Sequence, residues 1–181
     1  MICHRCNSAM EGSLERYPYR ESGLENVFIE RCIIHTCGKC KIRMAVLPDA
    51  ETAAREIVRT LVLQKKRLDG QSILFIRKAM RLKSVELAEI LRVHRVAVSR
   101  WENNQVAVEA INDFRLRLAV IDRVIARPPQ KEEADVLKML VCLIMQDDYD
   151  PTRTVGDEEL TIASPSCEFS SLVGSSTFAD I

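Results

Sequence analysis

The sequence is poor in aromatic residues, at 5% of 181, with a single Trp. It holds only six Gly and six Pro, which excludes collagen-like and low-complexity classes. No apolar run reaches the length a membrane-spanning helix needs. The start, Met1-Ile-Cys-His-Arg-Cys6, lacks an apolar stretch of signal-peptide length, so secretion is not expected. The three His residues, His4, His35 and His94, have no carboxylate or nucleophile partner at a catalytic spacing. No Gly-rich phosphate loop is present either. An enzyme is therefore not expected.

The chain also lacks net charge, with 26 basic and 26 acidic residues, but that zero is a sum over unlike parts. Residues 1–47 carry net +2, residues 48–71 net +1, residues 72–127 net +5 and residues 128–181 net −8. A basic middle followed by an acidic end suggests an anion-binding module with an acidic tail.

What the chain does have is cysteine, seven in all: Cys3, Cys6, Cys32, Cys37, Cys40, Cys142 and Cys167. An odd count without a secretion signal points to a reducing compartment, here the cytoplasm, and away from disulfides. Four of them form two C-x2-C pairs, Cys3–Cys6 and Cys37–Cys40. Each pair sets two thiolates one ligand edge apart, and two pairs complete a tetrahedral four-thiolate shell, so one structural Zn2+ is expected. Gly38 is expected to supply the tight backbone of the second turn. A thioredoxin-like redox centre needs one pair in a βαβ setting. The stretch Val27–His35 reads as a strand, with Cys32 sharing a face with Phe28, Glu30 and Ile34. Cys32 is expected to be a small buried residue, the alternative being a reactive thiol. Cys142 is expected in the core and Cys167 as an exposed thiol.

The fold class expected is α+β, a small N-terminal zinc-bound β module followed by an all-α helical domain. Residues 1–47 form the four-cysteine module, too small to bury much, so metal supplies most of its folding energy. Residues 48–71 form a helical linker capped by Asp49 and stopped at Asp69-Gly70. Residues 72–127 carry short helices, about 72–81, 84–91, 95–103 and 108–126, the second capped by Ser84. Pro128-Pro129 ends the last of these, whose apolar face is Ile111, Phe114, Leu118 and Ile121. A C-terminal helix spans 128–146, with Val136, Leu137, Leu140, Val141 and Ile144 apolar. The rest, 147–181, is acidic and Ser-rich and is expected to be disordered.

The stretch 84–103 reads as two helices joined by a tight turn, Arg92-Val93-His94. Leu87, Ala88 and Leu91 line one helix; Val98 and Trp101 point inward from the other; Val93 plugs the turn. The opposite face carries Arg95, Val96, Ser99 and Arg100, suited to a DNA major groove. Arg95 and Arg100 can each take guanine O6/N7 in bidentate fashion.

The run Leu87-Ala-Glu-Ile-Leu-Arg-Val-His-Arg-Val-Ala-Val-Ser-Arg-Trp-Glu-Asn103 resembles the Xre/lambda-repressor-like helix-turn-helix family. With the four-cysteine module before it, the chain to about residue 126 resembles the MqsA-type (YgiT-type zinc-finger, helix-turn-helix) antitoxins. The resemblance implies zinc on Cys3, Cys6, Cys37 and Cys40. It implies base reading by His94, Arg95, Val96, Ser99 and Arg100, phosphate contacts from Ser84 and Asn103, and a structural ion pair, Arg77–Glu102. It further implies a homodimer on a palindromic double-stranded DNA operator, autorepression, a toxin partner for the zinc module, and a bacterial, nucleoid-associated place in the cytoplasm. The dimer seam is expected on the helices after residue 108.

The sequence departs from that pattern. Arg92 stands where the family has a turn Gly, so a distorted turn or a strained left-handed residue is expected. Asn104 replaces a second Gly, and Val96 stands where a polar residue often reads a base. The acidic tail lies outside the resemblance. Two other readings stay open: a protein-interaction adaptor with a degenerate helix-turn-helix scaffold, and a metal or thiol sensor using Cys32.

Overall fold

The computed structural model describes residues 1–125, 131–147 and 149–163. β2 (Val27–Cys37) is the spine of a four-stranded sheet. β1 (Met10–Pro18) runs antiparallel along one edge. The other edge is shared: β3 (Arg43–Ala45) pairs antiparallel with residues 34–36, and β6 (Leu160–Ala163) pairs parallel with residues 27–30. The fold is α+β, strands around the cysteines and helices after them.

A bulge divides β2. Glu15 pairs with Cys32 and Tyr17 with Ile29, so Glu30 and Arg31 together face Arg16. Arg31 takes a left-handed φ of 54° there. The extra residue switches the strand's parity. Val27 and Ile29 before it, and Cys32 and Ile34 after it, all face the core. The expected grouping of Cys32 with Phe28 and Glu30 is thereby corrected. Those two share the outer face, where the Arg16 guanidinium lies 4.0 Å from the Phe28 ring centre and 2.9 Å from Glu30 Oε1. Cys32 itself is fully buried, its Sγ 3.5 Å from the Val46 carbonyl.

α1 (Ala50–Leu63) begins where expected, with Asp49 Oδ1 accepting from the N–H groups of Glu51 and Thr52. It is no linker. Ala53, Ile57, Val58, Leu61 and Val62 are buried in one apolar cluster with the sheet and the later helices. β4 (Lys66–Arg67) and β5 (Asp150–Thr154) form a short parallel pair beyond it. α2 (Gly70–Ala79), α3 (Ser84–Leu91) and α4 (Arg95–Glu102) follow. Asp69 caps α2 through Ser72 N–H at 2.8 Å instead of only ending the helix before it. Ser84 is the first residue of α3 and does not cap it; the Glu86 carboxylate reaches back to the Lys83 N–H at 2.6 Å.

α2, α3 and α4 end in the same way. A left-handed residue follows each, Arg92 directly after α3 and Arg81 and Asn104 two positions past α2 and α4, at φ 56°, 56° and 53°. Its N–H and that of its successor bond back to the preceding turn, as in Leu82 N–H to Arg77, Val93 N–H to Ala88 and Gln105 N–H to Arg100. The strain anticipated at Arg92 is therefore present.

α5 (Ala110–Val120) runs on through a wide π turn, Ile121–Ile125, and α6 (Lys131–Asp147) follows. The buried face of α5 differs from the expected one. Ile121 is buried and Phe114 packs on the core as expected, but Ile111 is exposed, and Asn112, Asp113, Leu116, Arg117 and Val120 are buried. Arg117 is wholly enclosed and closes the end of α1: it donates to the carbonyls of Val62 at 3.0 Å and Lys66 at 2.5 Å, and also to that of Gln64. Its charge is balanced by Asp113 Oδ2 at 3.2 Å, which also accepts from Tyr149 Oη at 2.9 Å. α6 buries Ala134, Leu137 and Val141 and leaves Val136, Met139 and Leu140 exposed.

The expectation of disorder from residue 147 is corrected for 149–163. Val155, Leu160 and Ile162 are buried core residues. Asn26 Nδ2 donates to the Val155 carbonyl, the Leu160 N–H returns to the Asn26 carbonyl at 2.7 Å, and Glu158 and Glu159 pair with Lys66 and Arg16. Apolar alternation in Leu160-Thr-Ile162 was the overlooked signal. Expectations for Pro128-Pro129, Cys167, the Ile144 side chain and residues 164–181 fall outside the described residues.

Candidate metal centre and nucleic-acid interface

The first candidate site is built by two turns of one design. In the first, Asn7 N–H donates to the Cys3 carbonyl at 2.9 Å; in the second, Lys41 N–H donates to the Cys37 carbonyl at 3.0 Å. Both closing residues are left-handed, Asn7 at φ 58° and Lys41 at φ 61°. The left-handed step thus falls after each second cysteine and not on Gly38, whose missing Cβ faces open space. The sheet brings the turns together, since β1 begins just after the first and β2 ends at Cys37.

The four sulfurs lie within 4.8 Å of one another, with Cys3–Cys40 at 3.5 Å and Cys6–Cys37 at 3.4 Å. Four thiolates around one tetrahedral ion stand about 3.8 Å apart, from metal–sulfur bonds of about 2.3 Å. The cluster therefore can hold a metal ion. Cys3 and Cys37 are buried beside Met10, with Ile42 and Met44 packed around them. Hydrogen bonds from Ser8 lower the Cys6 thiol to about 6. Backbone N–H groups of Cys40 and Lys39 lower Cys37. At Cys40 the Ile42 N–H also favours thiolate, but burial and the neighbouring thiols outweigh it and push the group up to about 11. Like-charged sulfurs crowded together do not all ionise unaided, and a cation among them resolves that repulsion.

The second candidate site is the solvent face of α4. His94 precedes the helix, its Nδ1 accepting from Val96 N–H at 3.3 Å. Arg95, Val96, Ser99, Arg100 and Asn103 are exposed and, with His94, form one strip. Asn103 Nδ2 donates to the Ser99 carbonyl at 2.7 Å. Ser84 is half-buried at the start of α3. The other face of α4 is fixed: Val98 and Trp101 pack into the core that holds Leu87, Ala88 and Leu91. Glu102 receives a two-pronged bond from Arg77, Nε to Oε1 at 2.5 Å and Nη2 to Oε2 at 3.1 Å. Arg77 Nη1 also closes the Leu82 carbonyl at 2.8 Å.

A further lock was not foreseen from the sequence. Gly70, the first residue of α2, lies against the end of α4, where a Cβ would stand 2.3 Å from the Trp101 carbonyl oxygen. Its N–H donates to Asn104 Oδ1 at 2.8 Å. Asp69-Gly70 read as a helix stop, and only the packing shows it as a helix start pressed against another backbone. Among the described residues, no helix is long and apolar enough to cross a membrane. Compared with known proteins, the chain matches no family model, no curated protein and no solved structure.

Proposed function

We propose that this chain is a zinc-containing, sequence-specific DNA-binding transcription regulator of the antitoxin type. The observation that carries the reading is the segregation of α4. One face is locked by Val98, Trp101 and the Arg77–Glu102 pair, and the other offers His94, Arg95, Val96, Ser99 and Arg100 to solvent. A rigid helix with two exposed guanidinium groups suits a major groove, where each Arg can grip a guanine for roughly 1–3 kcal/mol of discrimination. In this reading α3 and α4 act as a helix-turn-helix, and Ser84 and Asn103 reach phosphates. The four cysteines hold one structural Zn2+, and a closed thiolate shell leaves no open position for catalysis. The zinc-bound sheet is the surface that neutralises a toxin. Exposed apolar side chains on α5 and α6, Ile111, Val136, Met139 and Leu140, support a homodimer on a palindromic operator. The setting is a bacterial cytoplasm.

The test is a gel shift of zinc-loaded protein on its own upstream DNA against a scrambled duplex, at two salt concentrations. Selective, salt-sensitive retardation is expected, lost in Arg95→Ala/Arg100→Ala. Equal affinity for both duplexes, unchanged in the double variant, overturns the reading and leaves the cysteine end as an interaction module.

A further inference from the structure

Between β4, the start of α2 and the chain that follows α4 lies a cavity of about 160 Å³. Its wall includes Arg67, Asp69, Trp101, Asn104 and Thr154. Thr154 comes from β5, beyond the part of the chain that resembles the antitoxins. Three polar groups of this wall are left over by the fold. Arg67 is half-buried, and its guanidinium has no ion-pair or hydrogen-bond partner among the described residues. Trp101 is only 6% exposed, yet its indole N–H makes no hydrogen bond among the described residues and is not sealed in the core. A nearly buried donor without a partner is costly unless a further group accepts from it. Asp69 spends Oδ1 on the cap of α2, and its Oδ2 accepts no hydrogen bond among the described residues.

Gly156 makes room for that carboxylate. A Cβ there would stand 2.1 Å from Asp69 Oδ2, and Gly156 is not left-handed, so its missing side chain serves space and not a turn. Arg67 and Asp69 thus line one cavity with opposite charges and do not pair with each other. Such a wall matches a ligand that carries both charges. The guanidinium and the indole N–H can donate to a carboxylate, and Oδ2 can accept from an ammonium. The volume sets the size, since a cavity of about 150 Å³ takes benzene, roughly six non-hydrogen atoms. We propose that this cavity binds a free α-amino acid of small side chain, its carboxylate on Arg67 and Trp101 and its ammonium on Asp69. The site stands independently of the DNA-binding reading. Trp101 and Asn104 also hold the end of α4, so an occupant adds to that support.

The chain has a single Trp, so emission from Trp101 reports on the cavity directly. Full-length protein is titrated with free glycine, L-alanine and L-serine. Acetate and ethylamine, which each carry one of the two charges, serve as controls. At least one of the amino acids is expected to shift the emission saturably and to raise the melting temperature with concentration. Acetate and ethylamine are each expected to bind at least about tenfold more weakly. L-Phenylalanine, with about twice the non-hydrogen atoms of benzene, is expected not to bind. Asp69→Asn keeps the helix cap and removes the charge. Arg67→Gln removes the cation. Each is expected to weaken amino-acid binding about tenfold or more, while the emission of the unliganded protein stays native and excludes misfolding. No saturable response to any of the three amino acids, by emission or by calorimetry, overturns the site. Acetate or ethylamine binding as tightly as the amino acids overturns the ligand class. Native affinity in both variants overturns the placement of the two charges.

Discussion

The residue that most repays a close look is Arg117. Burying a guanidinium is costly unless its charge is balanced and its donors are used. Here the carbonyls at the open end of α1 take the Nη1 and Nη2 donors and Asp113 takes the charge, while Nε finds no partner among the described residues. Tyr149 completes the group by donating to Asp113, and it comes from beyond α6. Burial, then the Asp113 charge, pushes the Tyr149 phenol well above its usual range. The folded state therefore binds the Tyr149 proton more tightly than the unfolded chain does. That contribution is complete below the ordinary tyrosine pKa of ~10 and is lost as pH rises beyond it. Tyr149→Phe is expected to cost about 1 kcal/mol at neutral pH. It should also flatten the loss of stability above pH ~10, as read from urea melts at a series of pH values. An unchanged alkaline limb in Tyr149→Phe would refute the assignment. None of this was legible in the sequence. The i,i+4 pair Asp113–Arg117 reads as a solvated helix ion pair, and only tertiary packing turns it inward.

At the scale of elements, the helices were legible and their faces less so. Asp49, the paired apolar spacing in α1 and the Leu87-Ala-Glu-Ile-Leu91 run signal helices by local chemistry that tertiary contacts do not override. The faces of α5 and β2 went astray for two physical reasons, a buried ion pair and a bulge that inserts one residue into a period of two. Gly70 shows a third reason, since a close approach between helices leaves no mark in either one. Gly70→Ala is expected to destabilise at the upper end of the ~1–3 kcal/mol range for overpacking, because two backbone carbonyls, which cannot swing aside, meet the new methyl along with the Asn104 side chain. Gly38→Ala has open space and is expected to stay within about 0.5 kcal/mol. Chemical denaturation of the two variants decides the matter; equal costs would refute the packing argument. The same method weighs β6. Leu160 is fully buried, so Leu160→Ala should cost about 2–5 kcal/mol. A disordered tail would make that substitution silent.

For the whole molecule, the expected division into a metal-dependent module and a separate helical domain gives way to one continuous core. Residues of β2, α1, the later helices, α6 and β6 share it, while a small second cluster surrounds the cysteines. The sequence pointed to the thiol pairs because each is a local spacing. It could not show that β6 returns from beyond α6 to lie on β2, because that pairing is set by a contact between distant segments. The consequence for the proposed metal is a graded role. The turns at residues 3–7 and 37–41 have almost no apolar support beyond Met10, Ile42 and Met44. Residues 27–34 are held by β6 and by the main core. Chelation is therefore expected to release the cysteine end alone, with far-UV circular dichroism nearly unchanged. Hydrogen exchange should lose protection at residues 1–10 and 37–44 and keep it at residues 27–34 and through α1 to α4. A single global unfolding on chelation would refute the graded role and restore the metal as the folding energy of an independent module. Under the graded outcome, a metal-stripped protein retains the Arg77–Glu102 lock and the α4 strip, so the proposed duplex binding and loss of the proposed metal become separable in one preparation.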